Sequence, residues 1–116
     1  MPSGLVKLSG WLCLKRAPLV LALFSFSALA ENVAEVRIEG YKYQPAEIRI
    51  KIGDSVRWTN HEKRTRHSVL FPAEAGLESE RMFPDESWLR RFDKAGRYDY
   101  HCGPHPEMKG LVVVSE

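Results

Sequence analysis

The chain has almost no cysteine: two in 116 residues, Cys13 and Cys102. That excludes a scaffold stapled by several disulfides. A strong charge of either sign is also lacking, with 17 Lys and Arg against 15 Asp and Glu. No basic stripe interleaved with aromatics occurs, so nothing points to nucleic acid. No apolar run approaches the roughly 20 residues that a membrane-spanning helix needs. Internal repeats, linkers and low-complexity segments are missing, and the length suits one domain rather than two.

What is present begins with a leader. Residues 1–16 carry Lys7, Lys15 and Arg16 and no acid, residues 17–30 are apolar apart from Ser25 and Ser27, and the run ends in Ala28-Leu29-Ala30. A basic start, a short apolar stretch and a small-x-small end describe a secretory signal peptide. The alternative, an uncleaved anchor, sits poorly with a run of 14 residues. Cleavage after Ala30 leaves a domain of residues 31–116, with 14 basic and 15 acidic residues and a formal charge of −1. The expected compartment is a bacterial periplasm. Cys13 is discarded with the leader, so Cys102 stands alone in an oxidising compartment. A lone exported thiol is an inert core residue, half of an intermolecular disulfide, or a metal ligand.

The remainder reads as strands. Val36 and Ile38 alternate with Arg37 and Glu39; Ile48, Ile50 and Ile52 alternate with Arg49 and Lys51; Val56 and Trp58 flank Arg57. Such period-2 patterns mark strands with one buried face. Residues 67–71, 87–92, 96–102 and 110–115 bring the total to about seven. Gly40, Pro45, Gly53-Asp54, Pro72, Gly76, Pro84-Asp85, Gly96 and Gly103-Pro104 punctuate them. The spacing predicts an all-β sandwich of seven to eight strands, with a helical turn only within residues 73–81.

The chemistry concentrates at one end, in Tyr98-Asp99-Tyr100-His101-Cys102-Gly103-Pro104-His105-Pro106-Glu107-Met108-Lys109-Gly110. Cys102, His105 and Met108 are each three apart, but Gly103, Pro104 and Pro106 exclude a helix. The segment is a stiff loop between two strands. A thiolate, an imidazole and a thioether select copper over hard cations, and a His₂Cys site with a weak axial Met is the electron-transfer arrangement. A second His must come from elsewhere. His67, opening an apolar strand, is preferred because ligands belong on rigid elements; His61, in a charged loop, is the reserve.

The loop resembles that of the cupredoxins, the type 1 blue copper proteins. The Cys-x₂-His-x₂-Met spacing is most similar to the short-loop amicyanins; plastocyanin and pseudoazurin have a longer His–Met gap. The likeness extends over residues 33–115. It implies a Greek-key β-sandwich, one copper ion bound by His67, Cys102, His105 and Met108, and no catalysis. It implies that His105 is the electron's port at the surface, with His67 inside. Ser68 stands where the family commonly has Asn, and Glu107 stands where an apolar residue often flanks the exposed His. With Arg66 and Lys109, Glu107 places charge near the copper edge.

The resulting expectation is a monomeric one-electron carrier between redox proteins, whether dehydrogenase, cytochrome or another copper protein. The alternative is a copper chaperone or resistance protein, disfavoured by the chain's three methionines. A third possibility is an enzyme with a second copper at His101. Adjacent strand residues point to opposite faces, so His101 should face away from Cys102 and is expected to be a sheet-face residue. Trp58, Trp88, Tyr98 and Tyr100 are expected in the core or on the sheet faces.

Overall fold

The alternation seen in the sequence is what builds the two sheets. In a computed structural model describing residues 32–116, β1 (Val33–Glu39) turns Val36 and Ile38 inward, and its neighbour β4 (Ser55–Asn60) contributes Val56 and Trp58. These two strands pair in parallel, with Val36 opposite Trp58. β2 (Lys42–Gln44) and β7 (Ser87–Arg91) flank them to complete a four-stranded sheet in the order β2-β1-β4-β7. The second sheet runs β3-β9-β8-β5-β6, with β3 at Glu47–Lys51, β5 at Leu70–Phe71, β6 at Leu77–Glu78, β8 at Gly96–His101 and β9 at Lys109–Ser115. The expected β-sandwich is observed. The two strands beyond the seven read from sequence, β2 and β6, have three and two residues, too short to show periodicity. The leader lies outside the described residues. Among the described residues no helix is long and apolar enough to cross a membrane.

An aromatic cluster fills the space between the sheets. Trp58 meets Tyr100 edge to face at 5.4 Å between centroids, and Tyr43 meets Tyr100 at 4.7 Å. Phe71 packs on Trp58, Phe92 and Tyr100. These rings are the principal apolar contribution to the fold. Tyr100 faces Gly110 across the β8–β9 ladder. A Cβ at Gly110 would lie 2.2 Å from the Tyr100 ring, so glycine alone lets the ring lie flat over the neighbouring strand.

Several local expectations change. Residues 67–69 do not join a strand. His67 makes an isolated bridge to Met82, and regular pairing begins at Leu70. The helical turn within residues 73–81 is instead a 3₁₀ turn at Pro72–Glu74 followed by β6. Ile52, read as an inward residue, is 44% exposed because the strand ends at Lys51 and the chain turns there.

Two strand pairings carry two separate loops to the same end of the second sheet. The β8–β9 hairpin presents residues 102–108 there, and the pair Leu70–His101 brings residues 67–69 beside them.

Arg90 links β7 to the 3₁₀ turn through a bidentate pair with Glu74, at 2.8 and 2.7 Å. Its guanidinium also lies over Phe71 and Phe92, at 4.5 and 4.3 Å from the ring centroids. The hydrogen bond from Arg90 holds the Glu74 carboxyl below its ordinary value of 4.5. The stabilisation is therefore present above that value and lost as pH falls through the folded value. Lysine cannot reproduce the fork or the stacking. Arg90→Lys should cost about 1–2 kcal/mol at pH 7. Thermal unfolding should register it as a drop of roughly 5–10 °C, and the gap to the unsubstituted protein should narrow below pH 4.

Candidate metal centre

The loop from Cys102 to Met108 is closed by its own backbone. The Cys102 N–H donates to the Met108 carbonyl at 3.0 Å, and the Met108 N–H donates to the His105 carbonyl at 2.9 Å. Pro104 and Pro106 fix two φ angles within the closed loop and lower what it loses on ordering. Cys102 and Met108 are buried, whereas His105 is only half-buried.

The opposite wall comes from residues 60–68. Asn60 is fully buried, and its side-chain amide donates to the carbonyls of Thr65 and Met82 at 2.8 and 2.9 Å. Its amide oxygen accepts from the Glu62 N–H at 2.9 Å. With its hydrogen-bonding capacity used, Asn60 pins a charged loop that would otherwise be mobile. The Tyr43 hydroxyl donates to the Ser68 carbonyl, pinning the far end. Burial pushes the pKa of that phenol far above its ordinary value, so it stays a neutral donor.

These supports bring three donor atoms together. His67 Nδ1 and His105 Nδ1 each lie 3.6 Å from Cys102 Sγ and 3.3 Å from one another. A point equidistant from the three lies about 2.0 Å from each, the length of a metal–nitrogen bond and slightly short of a metal–thiolate bond. A sulfur and two imidazole nitrogens converging on one largely buried point form a donor set that fits a soft or borderline cation. Among the described residues this is the one group of three or more His, Cys, Asp or Glu side chains placed to hold an ion.

The tautomers support that fit. His67 Nε2 lies 2.9 Å from Glu62 Oε2, which also accepts from the Tyr41 N–H at 2.8 Å. Burial acts to raise the Glu62 carboxyl, but the bonds from Tyr41 and His67 outweigh it and hold the group below the ordinary carboxylate value. An ionised carboxylate only accepts, so Nε2 carries the hydrogen. Burial also draws His67 below the ordinary imidazole value. The neutral ring therefore turns a bare Nδ1 lone pair toward Cys102.

Ser68 joins the two walls. Its N–H points at Cys102 Sγ, 3.4 Å away, while its hydroxyl accepts from the Gly103 N–H at 2.9 Å and donates to Glu78 Oε2 at 2.7 Å. The same carboxylate oxygen accepts from Arg81 Nε at 3.3 Å. Serine's shorter reach is thus extended by Glu78. Gly103 makes room for it, since a Cβ there would lie 2.2 Å from Glu78 Oε2.

Of the residues named from sequence, His67, Cys102 and His105 converge, and Met108 is buried at the loop's closure. His67 is fully buried and His105 lies at the surface, the order expected. His61 is not in the group; its N–H bonds to Ile38 and it lines a separate groove with Glu35, Arg37 and Gln44. His101 lies on the far side of β8, bonded through Nδ1 to the Cys102 carbonyl, beside Pro72, Asp99 and Lys109. Sequence reasoning missed Glu62, Glu78 and Tyr43. Glu62 had a signal, a lone acid five residues before a ligand His in a basic loop; the other two had none.

The comparisons with known proteins agree with this geometry. Residues 30–115 match the family described as copper binding proteins, plastocyanin/azurin family. The amicyanin of Paracoccus denitrificans is 40% identical over 95 residues, covering 78% of this chain and 72% of its own. Amicyanin-alpha of Methylorubrum extorquens is 40% identical over 105 residues, covering 84% and 87%. A chloroplastic plastocyanin of Tetradesmus obliquus is 35% identical over 111 residues, covering 81% and 76%. Among solved structures, a reduced Cu(I) form of an amicyanin variant superposes with a TM-score of 0.69 at 40% identity, over 75% of this chain and 86% of its own. Sandwich, donor triangle and sequence likeness agree, and this chain belongs to the plastocyanin/azurin family of copper binding proteins.

Proposed function

We propose that the protein is an exported one-electron carrier with a single copper bound by His67 Nδ1, His105 Nδ1 and Cys102 Sγ, and Met108 as the weak axial ligand. The convergence of those three donor atoms on one point about 2.0 Å from each carries this reading. When bound, copper supplies a one-electron couple between Cu(I) and Cu(II). The chain's own residues supply rigidity. Glu62 fixes the plane and tautomer of His67, the Ser68 N–H is aimed at the cysteine sulfur, and the Ser68–Gly103 bond holds the loops at fixed separation. Ligands that move little between oxidation states keep reorganisation small. Fully buried His67 and Cys102 exclude water, and half-buried His105 offers its outer edge as the path for the electron.

His101, the residue an enzymatic reading would need, belongs to no group of three or more His, Cys, Asp or Glu side chains placed to hold an ion among the described residues. The amicyanin and plastocyanin relatives favour a carrier over a chaperone, with redox proteins as donor and acceptor. The basic, apolar, Ala-x-Ala leader supports export to the periplasm and a mature domain starting at Glu31.

Expression of the whole chain should place the protein in the periplasmic fraction, and intact mass should correspond to residues 31–116. Retention in the membrane at full mass would exclude the cleaved form. Loaded with Cu(II), the protein should show an intense blue thiolate charge-transfer band and a narrow copper hyperfine splitting, both absent from Cys102→Ala. Pale, tetragonal copper spectra would remove the trigonal site and turn the reading toward transport. Glu62→Ala should leave the band in place and weaken copper retention against a chelator by about tenfold, as loss of a carboxylate partner to a ligand His does.

A further inference from the structure

Exposed Tyr41 packs against the imidazole at the proposed electron port, 4.9 Å between ring centroids, but one flank of the port is strongly charged. Arg64, Thr65, Arg66, Arg81 and Pro104 line a cleft of about 330 Å³ with His105. All three arginines are exposed. Arg81 shares its charge with Glu78, whereas Arg64 and Arg66 have no carboxylate partner among the described residues. Arg66 lies over the ring of Phe83, 5.3 Å from its centroid, and Phe83 is 52% exposed. The nearby carboxylates offset only part of this charge: Glu78 pairs with Arg81, Glu62 is turned inward to His67, and Glu107 is exposed.

We infer that this arginine-lined cleft beside His105 is the docking site for an acidic face of a redox protein partner. The inference rests on the electron-carrier reading and adds the charge of the partner. Arginine and an exposed aromatic are the residue types that anchor protein interfaces. The guanidiniums are exposed and no buried polar group among the cleft's residues is aimed into it, so a small anion would keep its water and bind weakly. A docked protein excludes water over the patch, and each arginine–carboxylate attraction strengthens there. The domain as a whole does not produce this preference. Residues 31–116 hold 14 basic and 15 acidic side chains, so bulk charge would favour a basic partner slightly. The local field at the port has the opposite sign.

Two probes share a haem and differ in surface charge: cytochrome c, which is basic, and its succinylated derivative, which is acidic. One electron passes from the reduced copper protein to the ferric haem, and stopped-flow absorbance reads the rate. The acidic probe should react at least about tenfold faster at low ionic strength. That advantage should collapse as salt shortens the Debye length from roughly 30 Å at 0.01 M to 8 Å at 0.15 M. Arg64→Glu combined with Arg66→Glu should reverse the preference. Lys94→Glu combined with Arg97→Glu changes net charge equally at the far end of β8 and should leave the preference intact. Equal responses to the two pairs would reduce the effect to net charge and overturn the site. So would a faster basic probe, or loss of the preference on adding sub-millimolar inorganic phosphate at constant ionic strength, which would mark a small-anion site. The blue band is read in the same samples: its absence defeats the carrier reading itself, while an intact band with unchanged rates defeats only the docking site.

Discussion

The centre depends on a junction of four hydrogen bonds at Ser68. Two loops far apart in sequence each carry part of the donor set, and neither is part of a regular strand at the donor positions. The ladder stops at Leu70 on one side and His101 on the other. Beyond that limit, the Ser68 N–H aimed at Cys102 Sγ and the Gly103 N–H bonded to the Ser68 hydroxyl fix the distance between the loops. Displacement by about one ångström would carry an imidazole out of bonding range of a shared ion. The sandwich beneath supplies the rigidity that makes such a junction useful. Tyr43, wedged against Tyr100, holds the Ser68 carbonyl from below, so the core's packing is transmitted directly to the ligand loops.

Burial sets the protonation of this centre as much as its shape. A fully buried imidazole resists protonation. An ionised carboxylate on its far nitrogen then decides which nitrogen stays bare. Glu62 can remain ionised while largely buried because the Tyr41 N–H shares the work. The residue is thus ionised for the sake of a neutral neighbour. No strong positive charge is needed within the site until a cation arrives, and the approach of three lone pairs is tolerated because the surrounding bonds over-determine their positions.

Much of this was legible in advance, for identifiable reasons. Alternation in β1, β3 and β4 points to the sandwich because those strands each bury one face. The Cys-x₂-His-x₂-Met spacing marks the donor loop because prolines remove the helical reading. His67 rather than His61 joins the donor triangle, but a rigid strand is not the reason. His67 is held by a bridge to Met82, a carboxylate and the Asn60 anchor. The illegible parts are those made by tertiary neighbours. Strands of two or three residues carry no period, and Ile52 continues its strand's alternation past the point where the chain turns. Glu78 reaches Ser68 only because β6 pairs with β5, a contact between residues ten apart that no local pattern signals.

The two departures from the common family pattern, Ser68 and Glu107, have different structural meanings. Ser68 is compensated within the centre. The bare Gly103 leaves the space into which the Glu78 carboxylate fits, and the Ser68 hydroxyl bonds to both. Glu107 is exposed, and Arg64, Arg66 and Arg81 share the edge beside His105 with Tyr41 and Pro104. Arg81 connects the two. Its guanidinium neutralises Glu78, which holds Ser68, which lies against the cysteine sulfur, and the same guanidinium lines the cleft beside His105. Arg81 thus serves as counter-charge to Glu78 while lining the cleft beside His105. The Ser68–Glu78 pair accounts for Arg81 alone; a matched pair carries no net charge, so the excess positive charge of the rim rests on Arg64 and Arg66.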